Sequence, residues 1–145
     1  MAQEAKFSIN VKPRFGDEYA ASGVVHDLYY HVYAREAQFA YWDHLGIDLV
    51  PAGRPTPLRI ESAYTTPLLM KEEAKVFVRI TRIGRSSSTM ETQINETVSG
   101  RPVATITTIA VSVDPQTGRS VPLPDEWKQK VIAFEGKENV ELAAK

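Results

Sequence analysis

Hydrophobic and polar positions change period several times along the chain, and each change marks an element. From Lys6 to Lys12, Phe7, Ile9 and Val11 fall on one face of an alternating run. This predicts a half-buried strand that Pro13 ends. A small-residue loop follows, Asp17 to Gly23, and Val24-Val25 leads out of it. From about Asp27 to Leu45 the step lengthens: Leu28, Val32, Arg35, Phe39, Trp42 and Leu45 recur at three- and four-residue intervals, as on a striped helix. Asp27 stands at or beside the N-cap and Gly46 at the C′ stop. The helix is rich in aromatics: Tyr29, Tyr30, Tyr33, Phe39, Tyr41 and Trp42.

Residues 51–57 read as a connection, and strand patterns follow it. Leu58–Tyr64 is one strand. Ala74–Ile83 is the next, with Val76, Val78 and Ile80 on one face. Ser87–Val98 alternates more weakly, and Pro102–Val113 is strongly β-branched. Gly84 and Ser99-Gly100 suit hairpin turns between them. After a turn at Asp114–Gly118, a short amphipathic helix is expected from Asp125 to about Phe134, with a frayed tail over about 135–145. The sum is a single α+β domain over 1–145, its core at about 6–130. One long helix packs on a five- to six-stranded antiparallel sheet. A single helix covers part of a sheet face, so association into a dimer or tetramer is expected.

Composition narrows the function classes. The chain has 145 residues, 43% hydrophobic and 24% charged, with a formal net charge of −1. That balance gives no basic field for nucleic acid. With no cysteine, disulfides, thiolate metal sites and a cysteine nucleophile fall away. No apolar run approaches the ~20 residues of a membrane-crossing helix, and MAQEAKFSINVK has no signal-peptide core. A cytoplasmic protein without a membrane partner is expected. His26, His31 and His44 form no metal-binding motif. The glycine signatures of dinucleotide, P-loop and nucleophile-elbow sites are missing. No metal and no cofactor is expected. His31 and His44 read as helix surface or subunit contact, and Glu36 as one of an ordinary ion pair or a solvated face.

Two clusters remain. Asp17, Glu18, Tyr19, His26 and Asp27 flank the loop before the long helix. Unpaired N–H groups at that helix start can polarise a carbonyl oxygen, and a nearby carboxylate can act as base or nucleophile. Capping by Asp27 and solvation of the other acids is the plainer account. Gly84 to Ser88, GRSSS, offers N–H groups, hydroxyls and Arg85 to a phosphate; it also suits a simple polar hairpin.

The order strand, glycine-bearing loop, long aromatic helix, four strands resembles the hotdog fold. Phe15-Gly16-Asp17, Gly23-Val24-Val25, Tyr30, Ala37 and Leu45-Gly46-Ile47 are similar to the signature of the 4-hydroxybenzoyl-CoA thioesterase family. Glu61-Ser-Ala-Tyr64 with Pro67, Ile83-Gly-Arg-Ser-Ser87, and Pro122-Leu-Pro124 before Trp127 continue the resemblance. It implies a hydrolase of acyl-CoA or acyl-carrier thioesters, working as a dimer or tetramer with its site between subunits. A loop carboxylate attacks the thioester or activates water, and the first helix amides polarise the carbonyl. Gly23, Val25 and Tyr30 fall at implied substrate positions, and Arg82, Arg85, Ser86 and Ser87 near the CoA phosphates.

One departure bears on catalysis. The family's aspartate position falls on Ala20 or, by the other anchor, Tyr19, and the usual asparagine is Tyr29. Three accounts stand open. A shifted acid (Asp17, Glu18 or Asp27, with His26) does the work; water is oriented by Tyr19 or His26 alone; or the protein binds acyl thioesters without cleaving them. A hydratase would want an aspartate and a histidine around an intervening asparagine, and none lies between Asp17 and His26.

Overall fold

The computed structural model describes residues 5–14, 22–49 and 54–143. The elements are β1 (Phe7–Val11), α1 (Leu28–His44), β2 (Arg54–Tyr64), β3 (Ala74–Ile83), β4 (Ser87–Glu96), β5 (Pro102–Val113), α2 (Asp125–Glu135), a 3₁₀ turn (Lys137–Asn139) and β6 (Glu141–Leu142). The sheet runs β1-β3-β4-β5-β2, antiparallel throughout, and β6 adds a short parallel pairing of Arg82–Ile83 with Glu141–Leu142. α1 lies across one face and α2 packs beside it, Trp42 and Trp127 meeting at 6.0 Å. This is the hotdog arrangement of a long helix on an antiparallel sheet.

The strand edges follow from side-chain type. β3 and β5 begin and end where the β-branched runs do. β2 starts at Arg54, earlier than the expected Leu58, because Pro55 and Pro57 sit on an edge strand, where a missing N–H is tolerated. The register of β3 slips between Ile80 and Arg82, a bulge. There the Ile80 N–H turns to the buried carboxylate of Glu135 at 3.2 Å, and the Tyr41 hydroxyl donates to the same oxygen at 2.6 Å. The tail expected to fray is built in, as far as Ala143, by the 3₁₀ turn, β6 and the Ala143 N–H on the Ile83 carbonyl.

The buried face of α1 differs from the stripe read in the sequence. Tyr30, Tyr33, Ala34, Ala37, Gln38, Tyr41 and Trp42 face the sheet, while Leu28, Val32 and Phe39 are 61%, 49% and 52% exposed. Ala34 and Ala37 let the helix axis approach the sheet, and tyrosine rings fill the space on either side. The stripe therefore divides: Leu28, Val32 and Phe39 point outward, while Trp42 is in the core and Leu45 packs against it. Gly46, at φ +71, ends the helix as expected.

Candidate active site at the start of the long helix

The start of α1 is tied to the segment after β2. The Val25 N–H donates to the Leu68 carbonyl at 2.8 Å, the Met70 N–H to the Gly23 carbonyl at 2.8 Å, and the Leu68 N–H to the Tyr30 hydroxyl oxygen at 2.9 Å. Between these strips opens a cavity of about 400 Å³, lined by Val24, Val25, His26, Asp27 and Tyr30 on one side and Tyr64, Thr65, Thr66 and Pro67 on the other. Tyr30 is 3% exposed, and burial pushes its hydroxyl above the ordinary tyrosine range, the Leu68 N–H pulling in the opposite direction. Tyr30 is thus a neutral acceptor that fixes the wall.

The helix start is arranged unusually. Asp27 occupies the N-cap position with helical backbone angles, and its side chain caps nothing. The expected cap is replaced by the ring of His26, whose Nδ1 accepts the Leu28 N–H at 3.3 Å. The Tyr29 and Tyr30 N–H groups close onto the His26 and Asp27 carbonyls. The N–H groups left without a backbone or side-chain acceptor among the described residues are those of His26 and Asp27, and both residues line the cavity. The Asp27 carboxylate stands 3.4 Å from His26 Nδ1, with its side chain 70% exposed. Because Nδ1 accepts the Leu28 N–H, a neutral His26 ring carries its proton on Nε2.

Across the cavity, the Tyr64 hydroxyl meets His31 Nε2 at 3.0 Å, and Ser62 Oγ lies 3.3 Å from the same nitrogen. His31, expected on the helix surface or in a subunit contact, is half-buried and also bridges α1 to β2 within one chain. Tyr64 and Pro67 were visible as members of a strand motif, but their place in the wall depends on how β2 pairs with β5. Among the described residues, no group of three or more His, Asp or Glu is placed to hold a metal ion. No described helix is long and apolar enough to cross a membrane.

Of the sequence candidates, Val25, His26, Asp27 and Tyr30 come together here, and Gly23 backs the wall through its carbonyl. Asp17, Glu18 and Tyr19 lie outside the described residues. Arg82, Arg85, Ser86 and Ser87 do not line the cavity. They belong to the β3–β4 hairpin, whereas the cavity lies by the segment that enters β3 at Ala74. A strand of this length separates the two sites by roughly 30 Å. Arg82 Nε is 3.7 Å from Glu141. The Ser86 and Ser87 carbonyls accept the Ser112 and Gly84 N–H groups.

Residues 13–131 match the model of the thioesterase-like superfamily. No curated protein matches the chain significantly. Among solved structures, a thioesterase of Thermus thermophilus complexed with coenzyme A and zinc is similar over 89% of this chain and 93% of its own, at 28% identity and a TM-score of 0.79. The PA2801 protein of Pseudomonas aeruginosa, a proposed thioesterase, is 26% identical over 87% of this chain and 98% of its own, with a TM-score of 0.78. Slr0204 of Synechocystis, a 1,4-dihydroxy-2-naphthoyl-CoA thioesterase, shares the fold at 16% identity and a TM-score of 0.76, over 86% of this chain and 94% of its own.

Proposed function

This chain belongs to the thioesterase-like superfamily, and from that premise we propose that it hydrolyses an acyl-CoA or acyl-carrier thioester at the cavity beside α1. The observation that carries the reading is the pair of N–H groups on His26 and Asp27, which find no acceptor among the described residues and belong to residues lining a cavity of about 400 Å³. A thioester oxygen seated on them gains hydrogen bonds that strengthen as it becomes an oxyanion, and the positive end of α1 adds to the effect.

Asp27 takes the part of base in this reading. Its oxygens cap nothing, and it lines the same cavity. Water attacks the carbonyl carbon and gives its proton to the carboxylate. The tetrahedral intermediate then expels the thiolate, which takes that proton, so acid and free thiol leave and the carboxylate is restored. Asp17 and Glu18, in the loop before Gly23, are the other acids within sequence reach, and Tyr19 or His26 would orient the water.

The reading includes a second copy of the chain. Leu28, Val32 and Phe39 of α1 and Ile60 and Tyr64 of β2 are exposed apolar side chains, and β2 is the last strand of its sheet among the described residues. Past the two prolines, β2 has N–H groups to pair with another β2. Antiparallel self-pairing would carry the partner's β3–β4 hairpin toward this chain's cavity, where its Arg85, Ser86 and Ser87 would meet CoA phosphates. This accounts for a hairpin that lies far from the cavity within one chain.

The test is release of free thiol from a panel of aromatic, short and long acyl-CoAs. Turnover in the wild type that falls about 100-fold or more in Asp27→Asn supports the assignment. If Asp17→Ala, Glu18→Ala and Asp27→Asn all keep full turnover, none of these three carboxylates is the base. Binding of CoA with no cleavage of any thioester would favour the non-catalytic reading, which the Ala20 or Tyr19 at the family's aspartate position supports.

A further inference from the structure

We propose that Arg101, on the β4–β5 hairpin and outside the cavity lining, is a positioning residue for the thioester site: paired with Glu72, it clamps the wall at residues 65–70 against the start of α1. The inference rests on the hydrolytic reading above.

The guanidinium of Arg101 makes four hydrogen bonds, two to Thr66 and Pro67 in that wall and two to Glu72, two residues beyond it. Its two terminal nitrogens donate to Glu72 Oε2 at 3.1 Å and Oε1 at 2.7 Å. One of them also donates to the Pro67 carbonyl at 3.0 Å, and Nε donates to Thr66 Oγ1 at 3.0 Å. The Thr66 hydroxyl donates in turn to the Pro102 carbonyl at 2.6 Å, and Glu72 Oε1 accepts the Leu69 N–H at 2.8 Å. One side chain thus fixes residues 66, 67 and 72 together. Between those points stands Leu68, whose carbonyl holds Val25 and whose N–H holds Tyr30. A shift at Pro67 therefore passes through Leu68 to the helix start.

The clamp has its own foundation. The Arg101 N–H donates to Ser99 Oγ at 3.1 Å. Glu96, buried, collects the Ser99 hydroxyl at 2.6 Å and the N–H groups of Val98 and Ser99 at 2.9 and 2.8 Å. The Arg101 hydrogen bonds hold Glu72 below the usual carboxylate range, so the pair is charged at neutral pH. The clamped segment also contains Lys71 at φ +71, a non-glycine residue in the left-handed region. Such a residue persists where its surroundings over-determine the backbone. A lysine at position 101 would keep the charge but lose the planar fork that reaches Glu72, Pro67 and Thr66 at once.

The wall lies opposite the two N–H groups assigned to the oxyanion, so its placement sets the substrate's approach. A misplacement of about 1 Å at such a site costs up to about 100-fold in rate.

The experiment compares the wild type with Arg101→Lys and Glu72→Gln, each by two readouts. The first is steady-state hydrolysis of an acyl-CoA that the wild type cleaves. The second is amide hydrogen exchange at Val25, Leu68 and Met70, with Val78 in the β3 ladder as internal reference. In Arg101→Lys, kcat is expected to fall about 10- to 100-fold with KM within about threefold. Exchange at the three wall amides should speed up by a similar factor, with Val78 unchanged. Glu72→Gln, which keeps its shape, should give a smaller loss of the same kind, and the double variant should lose less than the product of the two. Faster exchange with kcat and KM both within twofold of wild type would make the clamp purely structural and overturn the proposal. Unchanged exchange would overturn it more directly, since there would be no clamp. If the wild type cleaves no thioester, whether of CoA or of a carrier protein, the hydrolytic reading falls and the catalytic role of Arg101 with it; exchange would still report whether the wall is held.

Discussion

Tyr30→Phe isolates what one oxygen contributes to the site. The ring keeps its volume, so no cavity opens in the core. What goes is the acceptor of the Leu68 N–H, a bond of 2.9 Å between a residue 3% exposed and one 0% exposed. A buried donor left without a partner costs about 1–3 kcal/mol. At about 2 kcal/mol, the thermal midpoint of a chain this size drops by roughly 4–8 °C. The wall should also loosen at Val25, because Leu68 holds both. Urea unfolding measures the loss, and thiol release measures the consequence for hydrolysis. Tyr30 titrates above its ordinary value of 10.0, so its contribution to stability is full below that pH and is lost as pH rises through the folded value. The wild type should therefore lose stability at alkaline pH through this group, and Tyr30→Phe should not. A loss below about 0.5 kcal/mol, the range of an ordinary surface change, would refute the reasoning: the Leu68 N–H would have another acceptor, and Tyr30 would not be holding the wall.

Tyr41→Phe should cost more, about 2–4 kcal/mol by urea unfolding, because it strips a charge-assisted bond of 2.6 Å from the buried Glu135 carboxylate and leaves, among the described residues, only the Ile80 N–H on it. Glu96 is held at about 2 by the Ser99 hydroxyl and two N–H groups, so its share of stability is full above about 4.5 and is lost as pH falls toward 2; a stability–pH profile of Glu96→Gln should be flatter across that window. Val32→Glu with Ile60→Lys should leave a folded monomer in sedimentation and abolish thiol release; a dimer that survives both changes would place the interface elsewhere.

Much of the architecture was legible because it rests on local pattern. The β-branched runs of β3 and β5 match the strands end to end, and α1 agrees to within about a residue at each end. The buried face of α1 was not legible. Leucine, valine and phenylalanine drew attention to an exposed row, while the core took tyrosine rings whose hydroxyls find partners inside. Two prolines hid the first part of β2. His26, Asp27 and Tyr30 were singled out because they surround a helix start, and they line the cavity. Tyr64 and His31 were missed as a pair, since their meeting depends on the packing of α1 over β2. Arg101 and Glu72, 29 residues apart, carry no sequence signal of their contact at all.

The two margins of the sheet are unequal, and this limits how copies of the chain can add. On one side runs β2, eleven residues, with donors available past its prolines. The other margin is broken: β1 covers five residues of β3 antiparallel, the Glu135 carboxylate occupies the Ile80 N–H, and β6 covers two residues parallel. No single incoming strand can match a border that reverses direction partway along. In the proposed dimer, pairing of two β2 strands would consume both receptive margins and leave only broken ones outside, so addition of strands would stop at a pair instead of running on into a fibre. Loss of Glu135 or clipping of β6 would remove that stop, and the chain's tendency to polymerise should rise even where the candidate cavity is untouched.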